Sequence, residues 1–334
     1  MTLQAGIWAI DGGQITGQLM RLFFRSATRN NEGIVEIGDL LVKALDVPGA
    51  AVAVGDGAAI CRGKESLWQG SYWAYNLGSE QVDINPTAGS TRRDLVWLRI
   101  EDPTFSGSPW SGDPAEDVCA SLMVTEGVSA GTKTVPSGKS GIPLALVTIP
   151  PSTATITSGM ITDLRTMADP RTEAHKFALQ GIWDPGTDKV GNTVDYEEFP
   201  NGAQWDIDVP SWAAEAVISF TFYGLQYLKS GGNGSGSNYD ARGKFQATFG
   251  SLSTQDAGYW VRADVSEFVR VAAGGADTLT IPVAMRGTTQ TLEIQGKGTT
   301  NYRGSLEADG QCQLVVDVLF KEIPATDEPN RSPG

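Results

Sequence analysis

The chain has one histidine and three cysteines in 334 residues. A lone His excludes any metal centre built from several imidazoles. Ser-His-Asp or Cys-His catalysis would have to run through His175, which lies beside Glu173 and reads as a solvated or capping side chain. Cys61, Cys119 and Cys312 are too few and too dispersed for a disulfide framework, and each is expected to be a buried free thiol. Long hydrophobic runs are missing as well. The longest candidate, Ile142 to Pro151, is broken by Pro143, Pro150 and Pro151 and falls well short of the ~18 apolar residues a membrane span needs. Met1 to Ala5 carries neither the basic nor the apolar region of a signal peptide, so synthesis in a cytosol without export is expected.

Charge is scarce and one-sided. Charged residues make up 19% of the chain, and 39 acidic side chains against 25 basic ones give a net charge of −14. Residues 1–170 hold 12 basic and 18 acidic side chains, and residues 171–334 hold 13 and 21. With no basic cluster in the sequence, nucleic acid and anionic lipid are poor partners on bulk electrostatics. A phosphate cradle is missing too. Gly138-Lys139-Ser140 ends like a P-loop, but Lys133 stands where its first Gly belongs and Pro143 obstructs the helix that should follow. A loop before a strand at Leu144 is the reading that remains.

Glycine is abundant, at 40 residues, well above the usual ~7%. Short apolar runs recur about every 8–12 residues, which is strand spacing. Leu40–Leu45, Ala50–Val54, Ala58–Arg62, Ser71–Tyr75, Glu80–Ile84, Asp94–Ile100, Val118–Val124 and Leu144–Ile149 form the first set. The Gly55-Asp56-Gly57 turn predicts a hairpin between the second and third of these. Helix is expected to be scarce, with Gly17 to Arg25 the best early candidate. Residues 1–166 therefore read as one β-rich domain and 167–176 as a linker or short helix with Pro170 as breaker. Residues 177–323 open on an acidic stretch, Asp184 to Asp208, and continue in strands. Ala216–Tyr223 is expected to pair with Gly243–Phe249 across Ser230–Asn238, a Gly/Ser tract too flexible to pack. Tyr259–Val265, Thr278–Met285, Thr289–Gln295 and Gln313–Phe320 follow. Seven or so strands in this span predict an antiparallel β-sandwich or jelly roll. The polar residues 324–334 read as a disordered tail.

Carboxylate pairs are the chemistry this composition leaves open. Asp113, Glu116 and Asp117 stand together, as do Glu197 and Glu198, and a polysaccharide hydrolase needs two such groups in one cleft. Asp184 to Asp208 lacks the alternating ligands and closing Glu of an EF-hand, so a solvated acidic face is expected, with calcium as the rival. No enzyme signature and no cofactor site emerges. Of nine tryptophans, Trp110, Trp183 and Trp205 sit in Gly/Pro/Asp-rich segments, and an aromatic on a loop can stack on a sugar or a partner. These three are the candidate glycan or partner contacts.

The succession Val47–Gly63 (VPGAAVAVGDGAAICRG), Gln69–Asn76, Arg92–Val96, Pro143–Pro150 and Ile161–Arg165 resembles the N-terminal domain of minor tail (tail-tip or baseplate) proteins of siphophages infecting actinobacteria. The resemblance spans about residues 20–166. It implies a virion protein made in the host bacterial cytoplasm, with no catalytic residues in this domain. The expected partners are other tail-tip subunits and further copies of the chain, a trimer being the anticipated oligomer. Residues 177–323 would be displayed towards the host, where a cell-wall glycan is the expected target. A purely architectural tail or head-decoration subunit is the alternative, and a cell-wall polysaccharide hydrolase a remote one.

Overall fold

The computed structural model describes residues 15–105, 112–113, 116–117, 119–181, 188–191, 193–232, 234, 238–262 and 269–324. The protein is mainly β, in several antiparallel sheets. It divides into two units, one running to Pro170 and taking in the segment from Ile323, the other comprising Arg171–Glu322.

The first unit opens with helix α1 (Gly17–Ala27), where the Thr16 hydroxyl accepts from the Leu19 amide at 3.2 Å as N-cap. Its Arg21 is fixed by an ion pair with Asp102 at 3.3 Å and a bond to the Gln69 carbonyl at 2.9 Å. Ten strands follow: β1 (Gly33–Ile34), β2 (Val42–Ala44), β3 (Ala51–Val54), β4 (Gly57–Arg62), β5 (Ser71–Asn76), β6 (Glu80–Asp83), β7 (Arg92–Ile100), β8 (Ala120–Thr125), β9 (Ser140–Ile149) and β10 (Ile161–Asp163). They form the antiparallel sheets β1-β4-β5, β2-β3-β6 and β10-β9-β7-β8. Ile34, Val52, Val54, Val96, Leu144 and Val147 are fully buried in their shared core.

The predicted hairpin does not form. β3 pairs with β2 and β6, whereas β4 pairs with β1 and β5, so Gly55-Asp56-Gly57 carries the chain from one sheet to another. Gly57 has φ +137°, and a Cβ there would lie 2.5 Å from Asp39 Cα. The Asp-Gly pair is thus used for a close crossing against the Asp39 backbone instead of a two-residue turn. Gly138, at φ +72°, makes the turn into β9, as the loop reading of Gly138-Lys139-Ser140 requires.

The predicted linker is also absent. The Ile34 amide donates to the Thr166 carbonyl at 2.8 Å and the Ala168 amide to the Ile34 carbonyl at 2.9 Å, tying residues 166–168 to β1. Thr172–Gln180 is a nine-residue strand, β11. Its inward side chains, His175, Phe177 and Leu179, are half-buried while their neighbours are exposed, an alternation short enough to pass for polar linker sequence.

The second unit continues with β12 (Lys189–Val190), β13 (Glu197–Glu198), β14 (Gln204–Asp208), β15 (Glu215–Leu228), β16 (Ala241–Phe249), β17 (Leu252–Ser253), β18 (Ala257–Val261), β19 (Arg270–Thr280), β20 (Thr289–Gly298), β21 (Ser305–Glu307) and β22 (Gln313–Lys321). Several short strands lie end to end. β11 and β12 run along β22 and β21, β13 and β14 share one edge of β20, and β17 and β18 share one edge of β16. Among the described residues the strands therefore reduce to eight rows in chain order: β11/β12, β13/β14, β15, β16, β17/β18, β19, β20 and β21/β22. One sheet orders them first, eighth, third, sixth, and the other second, seventh, fourth, fifth. The first row pairs with the eighth, the second with the seventh, the third with the sixth and the fourth with the fifth. That is one long antiparallel hairpin rolled into two sheets, the jelly-roll topology.

The expected pairing of Ala216–Tyr223 with Gly243–Phe249 is replaced by packing between sheets. β15 and β16 belong to opposite sheets, and the Phe222 and Phe245 rings meet at 4.9 Å in the core. Ala216, Ile218, Phe220 and Phe222 point inward from β15, as do Leu314, Val316, Val318 and Phe320 from β22. Gly224, at φ +80°, absorbs the register shift that returns Leu225 and Tyr227 to the same core. The described part of the Gly/Ser tract does pack. The Gly232 and Gly234 amides donate to the Arg303 and Tyr302 carbonyls, each at 2.8 Å, and side chains at either position would strike that backbone. Residues 325–334 of the expected disordered tail lie outside the described residues.

Candidate functional site

Of the three singled-out tryptophans, Trp110 and Trp183 lie outside the described residues. Trp205 is not on a loop. It sits in β14, half-buried, and stacks on Phe177 of β11 with ring centroids 5.1 Å apart and planes inclined by 25°. Those two strands are edge rows of opposite sheets, so the pair closes one side of the sandwich. Trp205 is a packing residue, and its Asp-rich surroundings in Gln204–Asp208 concealed a strand in which Trp205 and Ile207 turn inward.

Among the described residues, neither carboxylate pair faces across a cleft. Glu197 and Glu198 are adjacent in β13, and neighbouring residues of a strand face opposite ways. Glu198 accepts from the Gly202 amide at 2.8 Å. Asp113 and Asp117 belong to one local turn, in which the Asp113 amide donates to Asp117 Oδ2 at 2.7 Å. Along the acidic stretch, Asp188 accepts from the Asn201 amide, Asp206 from the Thr291 hydroxyl and Asp208 from the Thr289 hydroxyl. Among the described residues, no three His, Cys, Asp or Glu side chains converge to hold a metal ion.

His175 is a strand residue rather than a cap, with Nε2 2.9 Å from Glu173 and its ring edge-on to Phe320 at 5.8 Å. Cys61 and Cys312 are buried and free, and burial pushes both thiols up to about 12. Cys119 is exposed, contrary to the expectation of a buried thiol, because it precedes the first residue of edge strand β8.

Two surfaces set exposed aromatic residues close to another ring or to cationic side chains. In the first unit, a groove of about 570 Å³ is lined by Val35, Glu36, Asp56, Trp73, Tyr75 and Leu77 among others. Trp73 and Tyr75 project from β5, an edge strand, are 56% and 57% exposed, and have ring centroids 5.0 Å apart. The Asn76 side chain holds the groove's turn by donating to the Gly55 and Gly78 carbonyls, each at 3.0 Å. Among the described residues lining it there are three carboxylates and no basic side chain. Exposed Trp and Tyr on a sheet edge mark an interaction surface more strongly than scattered aliphatics do.

The second surface is the outer face of the β13/β14-β20-β16-β17/β18 sheet. Register places Trp260 of β18 beside Arg242 of β16, and Lys244 of β16 beside Lys297 of β20. Trp260 is 57% exposed, and the guanidinium carbons of Arg242 and Arg262 each stand 5.3 Å from its ring. Its Nε1–H donates to Asp240 at 2.9 Å. The Arg242 guanidinium donates to the Tyr302 hydroxyl at 3.0 Å, and Lys297 Nζ lies 4.0 Å from the centre of the Tyr196 ring. Asp256 pairs with Lys244 at 2.6 Å and accepts from the Tyr196 hydroxyl. The Lys244 bond, then the Tyr196 bond, hold the Asp256 carboxyl below the usual carboxylate range, while burial and Asp256 push the Tyr196 phenol up. This face was missed because its aromatic and basic residues come from five separate segments, each of which holds only one or two of them.

No protein-family model matches the sequence. No curated protein matches it significantly. Solved structures with some likeness include dimeric latent PorU from Porphyromonas gingivalis, at 9% identity and TM-score 0.27 over 71% of this chain; the match covers only 24% of the PorU chain. Infectious bursal disease virus, Gx strain, is similar at 12% identity and TM-score 0.21, with 89% of this chain and 76% of that chain covered. The stem and receptor-binding domain of the spike protein P1 from bacteriophage PM2 is similar at 9% identity and TM-score 0.20, with 71% and 94% covered. At these scores none of the three assigns a fold or a function; the jelly roll rests on the strand register.

Proposed function

We propose that the chain is a structural virion protein of a phage tail tip or baseplate, with no catalytic role. In this reading the unit up to Pro170 docks and oligomerises, and the Arg171–Glu322 jelly roll is displayed for attachment to a host-surface glycan. The observation that carries the reading is the eight-row jelly roll, an architecture used by viral capsid proteins and lectins. The resemblance of residues 20–166 to minor tail proteins supports the docking role. So does the Trp73–Tyr75 groove, an aromatic surface rimmed by Glu36 and Asp56 that suits a neighbouring subunit presenting basic and apolar side chains. Repetition of the jelly roll in an oligomer would turn weak single contacts into firm attachment.

Gold-labelled antibodies raised against the full chain test this on intact particles. Label at the tail tip, together with antibody inhibition of adsorption to cells, is the expected result. Label on the head or along the tube would replace the reading with an architectural one, and tip label without any effect on adsorption would remove the attachment role.

A further inference from the structure

We propose that the Trp260 end of the outer face of the β13/β14-β20-β16-β17/β18 sheet, where Arg242, Arg262, Lys244 and Lys297 gather, binds a glycan that carries sparse anionic groups, phosphate or carboxylate. This names the contact surface and ligand chemistry for the attachment role proposed above, on which it rests.

Four cations, Arg242, Lys244, Arg262 and Lys297, stand on or beside this face, interleaved with the rings of Trp260, Tyr196 and Tyr302. Asp240 and Asp256 offset two of them, which leaves an excess of cations at the Trp260 end of the face. The outward Glu198, Asp206, Asp208 and Glu293 make the rest of it acidic, as is the chain at −14. The acids also have positional work: Asp240 fixes the edge of the Trp260 indole, and Asp256 ties Lys244 to Tyr196. The result is a set of ring faces held ready between cationic forks.

Each component matches one part of a charged saccharide. An indole or phenol face accepts the apolar C–H face of a sugar ring. A guanidinium presents paired N–H donors that match a carboxylate or phosphate. A stacked guanidinium loses little further freedom when it takes a ligand, because the ring already restricts it. A dense polyanion is disfavoured, since the chain's overall negative charge repels it at long range. An isolated phosphate or carboxylate meets the local cations within the ~8 Å over which charges act at physiological salt. Interleaved rings and cations fit a chain in which charged groups alternate with uncharged ring faces.

The test measures binding of the full-length chain by calorimetry to four probes: a glycerol-phosphate wall polymer, a uronic-acid polysaccharide, neutral dextran and single-stranded oligo-dT. The expected result is binding to one or both anionic glycans, none to dextran, and weakening as salt rises. Which anionic probe binds identifies phosphate or carboxylate as the group recognised. Trp260→Ala and Arg242→Gln should each weaken binding at least tenfold, with Lys297→Gln as a second charge variant should either fold poorly. Tyr223→Ala, an exposed aromatic of β15 in the other sheet, should leave it unchanged. Unchanged binding in Trp260→Ala and Arg242→Gln, equal binding of dextran, or tighter binding of oligo-dT would each overturn the site. Parent protein that binds cells as well as its Trp260 and Arg242 variants do would overturn the site and leave attachment standing. Failure of the parent to bind either cells or any glycan would remove both.

Discussion

At the scale of single residues, the fold is most sensitive where an aromatic ring or a thiol is enclosed. Trp205 seals one side of the jelly roll against Phe177, so Trp205→Ala should cost about 2–4 kcal/mol, somewhat below the full-burial range because the ring is only half-buried. Urea unfolding of the full chain measures it, and a change under ~0.5 kcal/mol would return Trp205 to the surface. The thiols give a second prediction. Cys119 is exposed whereas Cys61 and Cys312 are buried, so a thiol reagent should modify one cysteine in the native protein and three after unfolding. The two buried thiols keep their protons when folded up to about 12, against 9.0 for the free group. The unfolded chain loses those protons first, so stability from this source is intact below pH 9 and falls as pH rises towards 12. A urea midpoint that stays flat between those values would contradict the burial. What sequence conveyed at this scale was uneven: the wide spacing of the cysteines pointed to free thiols, but side-chain direction at Trp205 depended on a partner 28 positions away and could not be read locally.

At the scale of elements, the strands were legible and their partners were not. Apolar runs broken by Gly, Pro and Asp marked many of the longer strands to within a few residues, because alternation is a local property. The strand expected at Thr278–Met285, however, is β19 at Arg270–Thr280 followed by a 3-10 turn at Val283–Met285, and β11 to β14 went unmarked. Pairing is non-local. Ala216–Tyr223 and Gly243–Phe249 both have one apolar face, and that pattern is satisfied equally by lying side by side in a sheet or face to face across a core. The second arrangement is the one adopted. The Gly55-Asp56-Gly57 segment illustrates the same limit, since its hairpin-like sequence serves a crossing between sheets whose cause, the Asp39 backbone, lies 18 residues earlier. Gly57→Ala forces a Cβ into that backbone at a positive φ and should destabilise the first unit by at least ~2 kcal/mol. A thermal melt that is unchanged in Gly57→Ala would mean that the crossing is looser than described.

At the scale of the whole molecule, composition pointed to the architecture better than to the site. Abundant glycine, short runs and few charges led to a two-unit β protein with a sandwich or jelly roll in its second half, and the eight-row register is that jelly roll. The aromatic and cationic surface was hidden for a physical reason. Trp260, Arg242, Lys297, Tyr196 and Tyr302 lie far apart in the chain and become neighbours only when rolled strands bring them to one face. The central claim is that the jelly roll is displayed while the first unit docks, and a cryo-EM map of the intact particle containing this chain tests it most directly. The account predicts density for the chain at the tail tip, with a neighbouring subunit on the Trp73–Tyr75 groove and the Trp260 face open to solvent. A map that buries the Trp260 face between subunits, or places the chain elsewhere in the particle, would contradict it.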